Sequence, residues 1–233
     1  MAMDKSRTSP LMKTMIVLLA ITFVAGIGFA GVAGLSSCST NAPLLPGGGS
    51  ITGPGSTDTT AQIDAINARF TPTVQAREAS ITADPKNYDL LVAQANDYYD
   101  WALQVTQVAK QVTEPAAQIW GGAASYYGRA LEVKPGDPNV ATDYSIALFY
   151  SAQTDKAIEV AEKTRADNPT FAPVVYNLGV FYANSTAADS KTKAVAAFND
   201  YLKLEPNGAN AANAKQFLKD LGGSATTTGT PSP

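Results

Sequence analysis

Pro135-Gly136-Asp137-Pro138-Asn139 opens the stretch that decides the fold. It continues as an apolar segment through Tyr144, Leu148 and Phe149 to a polar turn at Gln153-Thr154. Asp155-Lys156-Ala157-Ile158 then begins a second amphipathic segment that closes at Asp167-Asn168-Pro169. Proline is accepted in the first turn of a helix and rejected from its interior, so each X-Pro pair marks one helix ending and the next beginning. The step from Pro135 to Pro169 is 34 residues, and similar closing pairs stand at Asp84-Pro85 and Glu205-Pro206. A two-helix unit recurring at such a spacing cannot bury its apolar face alone, and does so by stacking on its neighbours.

The register set by this unit assigns the rest of the chain. The unit before it runs from Pro85 to Pro135, a step of 50, and the unit after it from Pro169 to Pro206, a step of 37. In the longer unit Leu91, Ala95, Tyr98, Ala102, Val105, Ala109 and Val112 form one stripe at spacings of three and four, which predicts a helix from Tyr88 to about Val112. Thr113-Glu114-Pro115 stops it and starts a return helix ending at Val133. The 16 extra residues predict long helices that project past the stack and carry Trp101 and Trp120, with a kink at Gly121-Gly122. Upstream, Asp58–Asn67 and Val74–Ile81 read as two short helices separated at Pro72. Downstream, Asn210–Leu221 reads as an amphipathic cap.

Aligned on the closing prolines, Ala123, Ala157 and Ala194 stand twelve residues before, Tyr127, Ala161 and Phe198 eight before, and Ala130, Thr164 and Tyr201 five before. After Pro169, Leu178, Gly179 and Tyr182 stand at nine, ten and thirteen; after Pro135, Tyr144, Ser145 and Leu148; after Pro85, Gln94, Ala95 and Tyr98. This pattern resembles the tetratricopeptide repeat over about residues 85–221. The first-helix tryptophan of that family is replaced by Leu91, Ala141 and Val175. The resemblance implies an all-α solenoid of about three helical hairpins across 58–221, one of them elongated, with N-terminal helices and a C-terminal capping helix. Small residues such as Gly179 or Ser145 then face Ala157 or Ala194 where paired helices approach closely. Tyr127, Phe198, Tyr182 and Tyr201 are expected in the core.

Proteins of that family commonly bind peptides or helices along a concave groove lined by the first helix of each unit. Carried over by register, the groove residues here are Val92, Asn96 and Tyr99, then Thr142, Ile146 and Phe149, then Tyr176, Val180 and Ala183. Such an apolar surface fits a hydrophobic segment or an amphipathic helix. The family's carboxylate-clamping version uses lysine where Val92 stands, so that activity is not expected.

Composition narrows the function further. Histidine is absent and Cys38 is the single cysteine, which removes imidazole catalysis, Ser-His and Cys-His pairs, an internal disulfide and thiolate metal clusters. Carboxylate pairs at Asp97/Asp100 and Glu159/Glu162 lack an accompanying nucleophile or phosphate loop, so no enzymatic activity and no cofactor are expected. Lys5, Arg7 and Lys13 against Asp4 give the first 14 residues a charge of +2; the other 14 basic and 19 acidic residues give −5. An acidic main domain without a basic stripe argues against nucleic acid as a partner.

Residues 1–13 read as a cytoplasmic N-terminus and 14–37 as a transmembrane anchor or lipoprotein signal. The almost wholly apolar run Met15–Leu35 spans roughly 30 Å as a helix. Basic residues precede it and none follows until Arg69, which orients the remainder outside the cytoplasm. Leu35-Ser36-Ser37-Cys38 resembles a bacterial lipobox, which implies lipidation at Cys38; an uncleaved span and a lipid anchor both stay open. Gly26-Ile27-Gly28-Phe29-Ala30-Gly31 matches a dinucleotide-binding pattern but lies within the apolar run without the acidic partner that pattern needs. Residues 38–57 are a Gly/Ser/Thr/Pro linker of r.m.s. reach roughly 25 Å, and 222–233 a tail of the same composition. Asn184-Ser185-Thr186 fits a glycosylation acceptor but reads as a loop. These features together predict a membrane-tethered adaptor for a protein partner outside the cytoplasm, in envelope or secretion assembly. The alternative is a structural, self-associating or ligand-carrying envelope lipoprotein, for which a homo-oligomer is open.

Overall fold

The computed structural model describes residues 58–222. The expected anchor at 14–37, Cys38, the linker at 38–57 and the tail beyond Gly222 lie outside the described residues. Among those described, no helix is long and apolar enough to cross a membrane.

The helices are α1 (Thr59–Ala83), α2 (Tyr88–Ala109), α3 (Glu114–Val133), α4 (Pro138–Tyr150), α5 (Thr154–Asp167), α6 (Ala172–Asn184), α7 (Ser190–Leu204) and α8 (Ala211–Asp220). Each packs on the next, and α4 also touches α6. The described chain is therefore a stack of three tetratricopeptide-like hairpins, α2–α3, α4–α5 and α6–α7, preceded by α1 and closed by α8.

Local chemistry sets the helix ends. The Asp137 carboxylate accepts from the backbone N–H groups of Asn139 (3.0 Å) and Val140 (3.3 Å), capping α4 with Pro138 in its first turn. Asn87 does the same for α2 through Leu90 N–H at 3.1 Å. Lys110 adopts a left-handed φ of 55° and ends α2 at Ala109, three residues before the stripe of apolar residues runs out.

α1 departs from expectation. It is one helix of 25 residues with Pro72 inside it, not two helices broken there. Proline removes one backbone hydrogen bond, but the segment is held on both sides of that position. Before it, Asn67 accepts from Trp101 Nε1 at 2.8 Å, and Phe70 stacks on Trp101 at 6.1 Å. After it, Val74 O accepts from Gln94 Nε2 at 2.9 Å, Arg77 pairs with Asp97, and Glu78 accepts from the Tyr126 hydroxyl. Tertiary contacts outweigh the local penalty.

α3 also runs unbroken through Gly121-Gly122. A Cβ at Gly122 would stand 2.7 Å from the Tyr98 ring, so this glycine admits a ring from α2 where a kink was expected. The elongated hairpin does not project freely, because α1 lies along it. Trp101 is half-buried between Phe70 and Tyr98. Trp120 is wholly inside, donating to Thr106 Oγ1 at 3.2 Å and stacking on Tyr150 at 4.9 Å.

The centre of the stack is α6, where ten of the thirteen residues are buried. An apolar helix without a polar face must be covered all round, and α5, α7 and α4 cover it. A Cβ at Gly179 would meet the Phe198 ring at 2.7 Å, so close approach here is between glycine and a ring. Ala157 and Ala194 are fully buried, as are Tyr127 and Phe198, with Tyr182 and Tyr201 nearly so.

Candidate functional site

The first helices of the three hairpins, α2, α4 and α6, should present the groove. Their predicted lining residues fall into two groups. Tyr99, Thr142, Ile146, Phe149, Tyr176 and Val180 are buried, with exposures from 0% to 8%. Val92 and Ala183 are half-buried, and Asn96 is exposed. The first group is a buried floor, where the expectation was an open apolar surface. Tyr99 meets Trp120 edge-on at 4.7 Å and Tyr127 at 6.4 Å. Phe149 stacks on Phe181 at 5.0 Å and meets Tyr150 at 5.2 Å. Tyr176 packs against Tyr201 at 5.2 Å and Phe198 at 5.8 Å. Thr142 turns its hydroxyl to Pro138 O at 2.7 Å. Rings at these positions are drawn between helices because each removes a large apolar area from water.

Above the floor between α2 and α4 lies a polar row that the sequence reading did not assemble. Asn96 accepts from the Tyr127 hydroxyl at 2.6 Å. Asp100 is exposed and Asp143, from α4, is half-buried. The charge of Asp100 acts on Asp143. Burial, then Asp100, then Asp137 push Asp143 up to about 7. Asp100, exposed as a residue but with its carboxylate partly desolvated, is also raised. Burial, followed by the field of Asp143, drives the hydroxyls of Tyr99 and Tyr127 well above the ordinary tyrosine range, so both stay protonated. Among the described residues no ion pair involves Asp100 or Asp143. The row is thus acidic at its rim and aromatic below. It can accept donors, above all cationic ones, and cannot offer an apolar face of any size.

Asp100 was visible in the sequence as a member of a helix-surface pair. Asp143 was not singled out. The available signal was an acid inside Val140–Tyr150, where nearly every other residue is apolar, on a helix that register places opposite Asp100.

No family model matches this chain, and no curated protein matches it. Among solved structures, one titled "Crystal structure of MamA protein" is 17% identical, with 75% of this chain and 98% of that chain covered at a TM-score of 0.49. A second, titled "Crystal structure of MamA", is 18% identical over 65% of this chain and 96% of that chain at a TM-score of 0.35. Likeness at this level assigns neither family nor function.

Proposed function

We propose that the protein is a tetratricopeptide-type adaptor, tethered by its N-terminal segment and displaying the helical stack outside the cytoplasm to a protein partner of envelope or secretion assembly. The observation that carries the reading is the row Asn96, Asp100 and Asp143, polar side chains from two successive first helices beside an aromatic floor. Two first helices side by side read a segment running across them, and carboxylates at the rim select one with basic or amide side chains. An amphipathic helix or extended peptide of that kind is the expected ligand. Catalysis has no part in this proposal, and neither does a cofactor.

Charge reversal tests it. Asp100→Lys in the full chain, at an exposed position on the helix, is expected to weaken capture of the partner at least about tenfold if the rim contributes one charge-assisted contact. Undiminished capture removes the row from the site. A stable dimer that survives dilution and is broken by the same change supports instead the alternative of a self-associating envelope component.

A further inference from the structure

A cleft of about 500 Å³ lies on a different stripe of α4 from the acidic row. It is bounded by Leu131 of α3, the turn Pro135–Pro138, Ala141 and Tyr144 of α4, and Val160 and Lys163 of α5. Ligand sites are commonly of this size and mainly apolar with a few polar groups at the edge. Comparison with the flanking units shows why it is open here. Counting back from the closing prolines, Val160 occupies the position of Tyr126 in the preceding unit, and Thr164 that of Tyr201 in the following one. Counting within the turns, Asp137 occupies the position of Phe171, and Pro138 that of Tyr88. Each neighbouring unit therefore has two aromatic residues at positions where this unit has an aliphatic residue, a threonine, an aspartate or a proline. All four of those rings are buried or half-buried. Leu131 likewise stands where Arg165 crosses to Asp200 at 2.6 Å, so the ion pair that ties α5 to α7 has no counterpart between α3 and α5.

The cation of the preceding unit is retained. Arg129 lies over the Tyr126 ring at 5.1 Å, and Lys163 holds the position of Arg129. Lys163 reaches only along its own helix, to Asp167 at 2.8 Å, and its side chain is 78% exposed. Lys156 lies over Tyr144, the ring that lines the cleft, at 5.8 Å. An electron-rich ring entering beside Val160 would come under an ammonium group as Tyr126 comes under Arg129.

We infer that this cleft receives a tryptophan or tyrosine side chain of a partner segment, seated on Leu131, Ala141, Tyr144 and Val160 and capped by Lys163. The stretches 38–57 and 223–233 hold no aromatic residue, so neither of them supplies the ring. The cleft and the acidic row are separate surfaces, and either can fail without the other.

Methyl NMR on the full chain, titrated with N-acetyltryptophanamide, reads the cleft directly. The expected result is saturable shifts at Leu131, Ala141 and Val160, none at the repeat-equivalent Val175 and Ala197, and none anywhere with N-acetylalaninamide. Val160→Tyr restores the ring found in the preceding unit and is expected to weaken the probe by about tenfold or more. Lys163→Gln, at an exposed site that does not threaten folding, is expected to weaken it about two- to fivefold through the lost cation–π contact. Absence of shifts at these methyls overturns the inference, as does binding unchanged in both variants. Concentration-dependent shifts at the same methyls without probe also overturn it, because a second copy would then be the occupant.

Discussion

Gly179 shows how finely the helix spacing is set. Any β-carbon there enters the Phe198 ring, which is itself stacked on Phe217 at 4.8 Å and has nowhere to go. Gly179→Ala is expected to cost about 2–3 kcal/mol in urea unfolding. Gly122→Ala meets the half-buried Tyr98 ring, which can swing outward, and should cost visibly less. The turn after α4 holds the opposite case. Ala152 has a φ of 65°, with its N–H on Phe149 O at 3.1 Å and the next N–H on Leu148 O at 2.9 Å. Ala152→Gly relieves that left-handed strain, and a gain of about 0.5–1 kcal/mol is expected in the same assay. Asp143 supplies a pH signature. Its folded value is raised to about 7 by burial, Asp100 and Asp137, while unfolded aspartate titrates near 4. The folded state then holds the proton more tightly. Its contribution to stability is complete below about pH 4 and is lost as pH rises toward 7. Asp143→Asn should flatten that slope and, at pH 8, leave the protein about 1–2 kcal/mol more stable than the parent, the figure being reduced for partial solvent access.

At the scale of elements, most of the helices were legible because their boundaries rest on local chemistry. Asp137-Pro138, Thr113-Glu114-Pro115 and the closing prolines act within a turn or two, and the structure starts and stops α3, α4 and α5 where they stand. What was not legible rests on contacts distant in sequence. Pro72 predicts a break by every local rule, and only the bonds from Trp101, Gln94 and Tyr126 explain why α1 continues. Pro72→Ala should therefore stabilise the chain by about 1–3 kcal/mol without altering helix length, as read by thermal unfolding and by amide exchange around residues 68–76. Six of the nine predicted groove residues are buried for a related reason. Register carried the family's lining positions onto Tyr99, Phe149 and Tyr176, yet side chains of that size are pulled between helices whenever a neighbour can cover them. The near-continuous apolar run Val174–Tyr182 was the available warning, since it leaves α6 no polar face.

For the whole molecule, the repeats are most informative where they differ. The hairpins share one packing scheme, and function is expected at the departures from it: the acidic row between α2 and α4, and the cleft beside α5, at whose counterpart positions the neighbouring units carry rings. A stack of this kind holds two such surfaces in fixed relation, so a partner that uses both gains from the second contact being intramolecular.

Site-specific photocrosslinking in native membranes tests the adaptor reading most directly. A benzoylphenylalanine is placed at Asn96 or, in parallel, at the exposed Lys191 of α7. The account predicts a discrete heterologous adduct from position 96 that is absent from position 191 and is lost with Asp100→Lys. Equal adducts from both positions, or only adducts between copies of this chain, would contradict it.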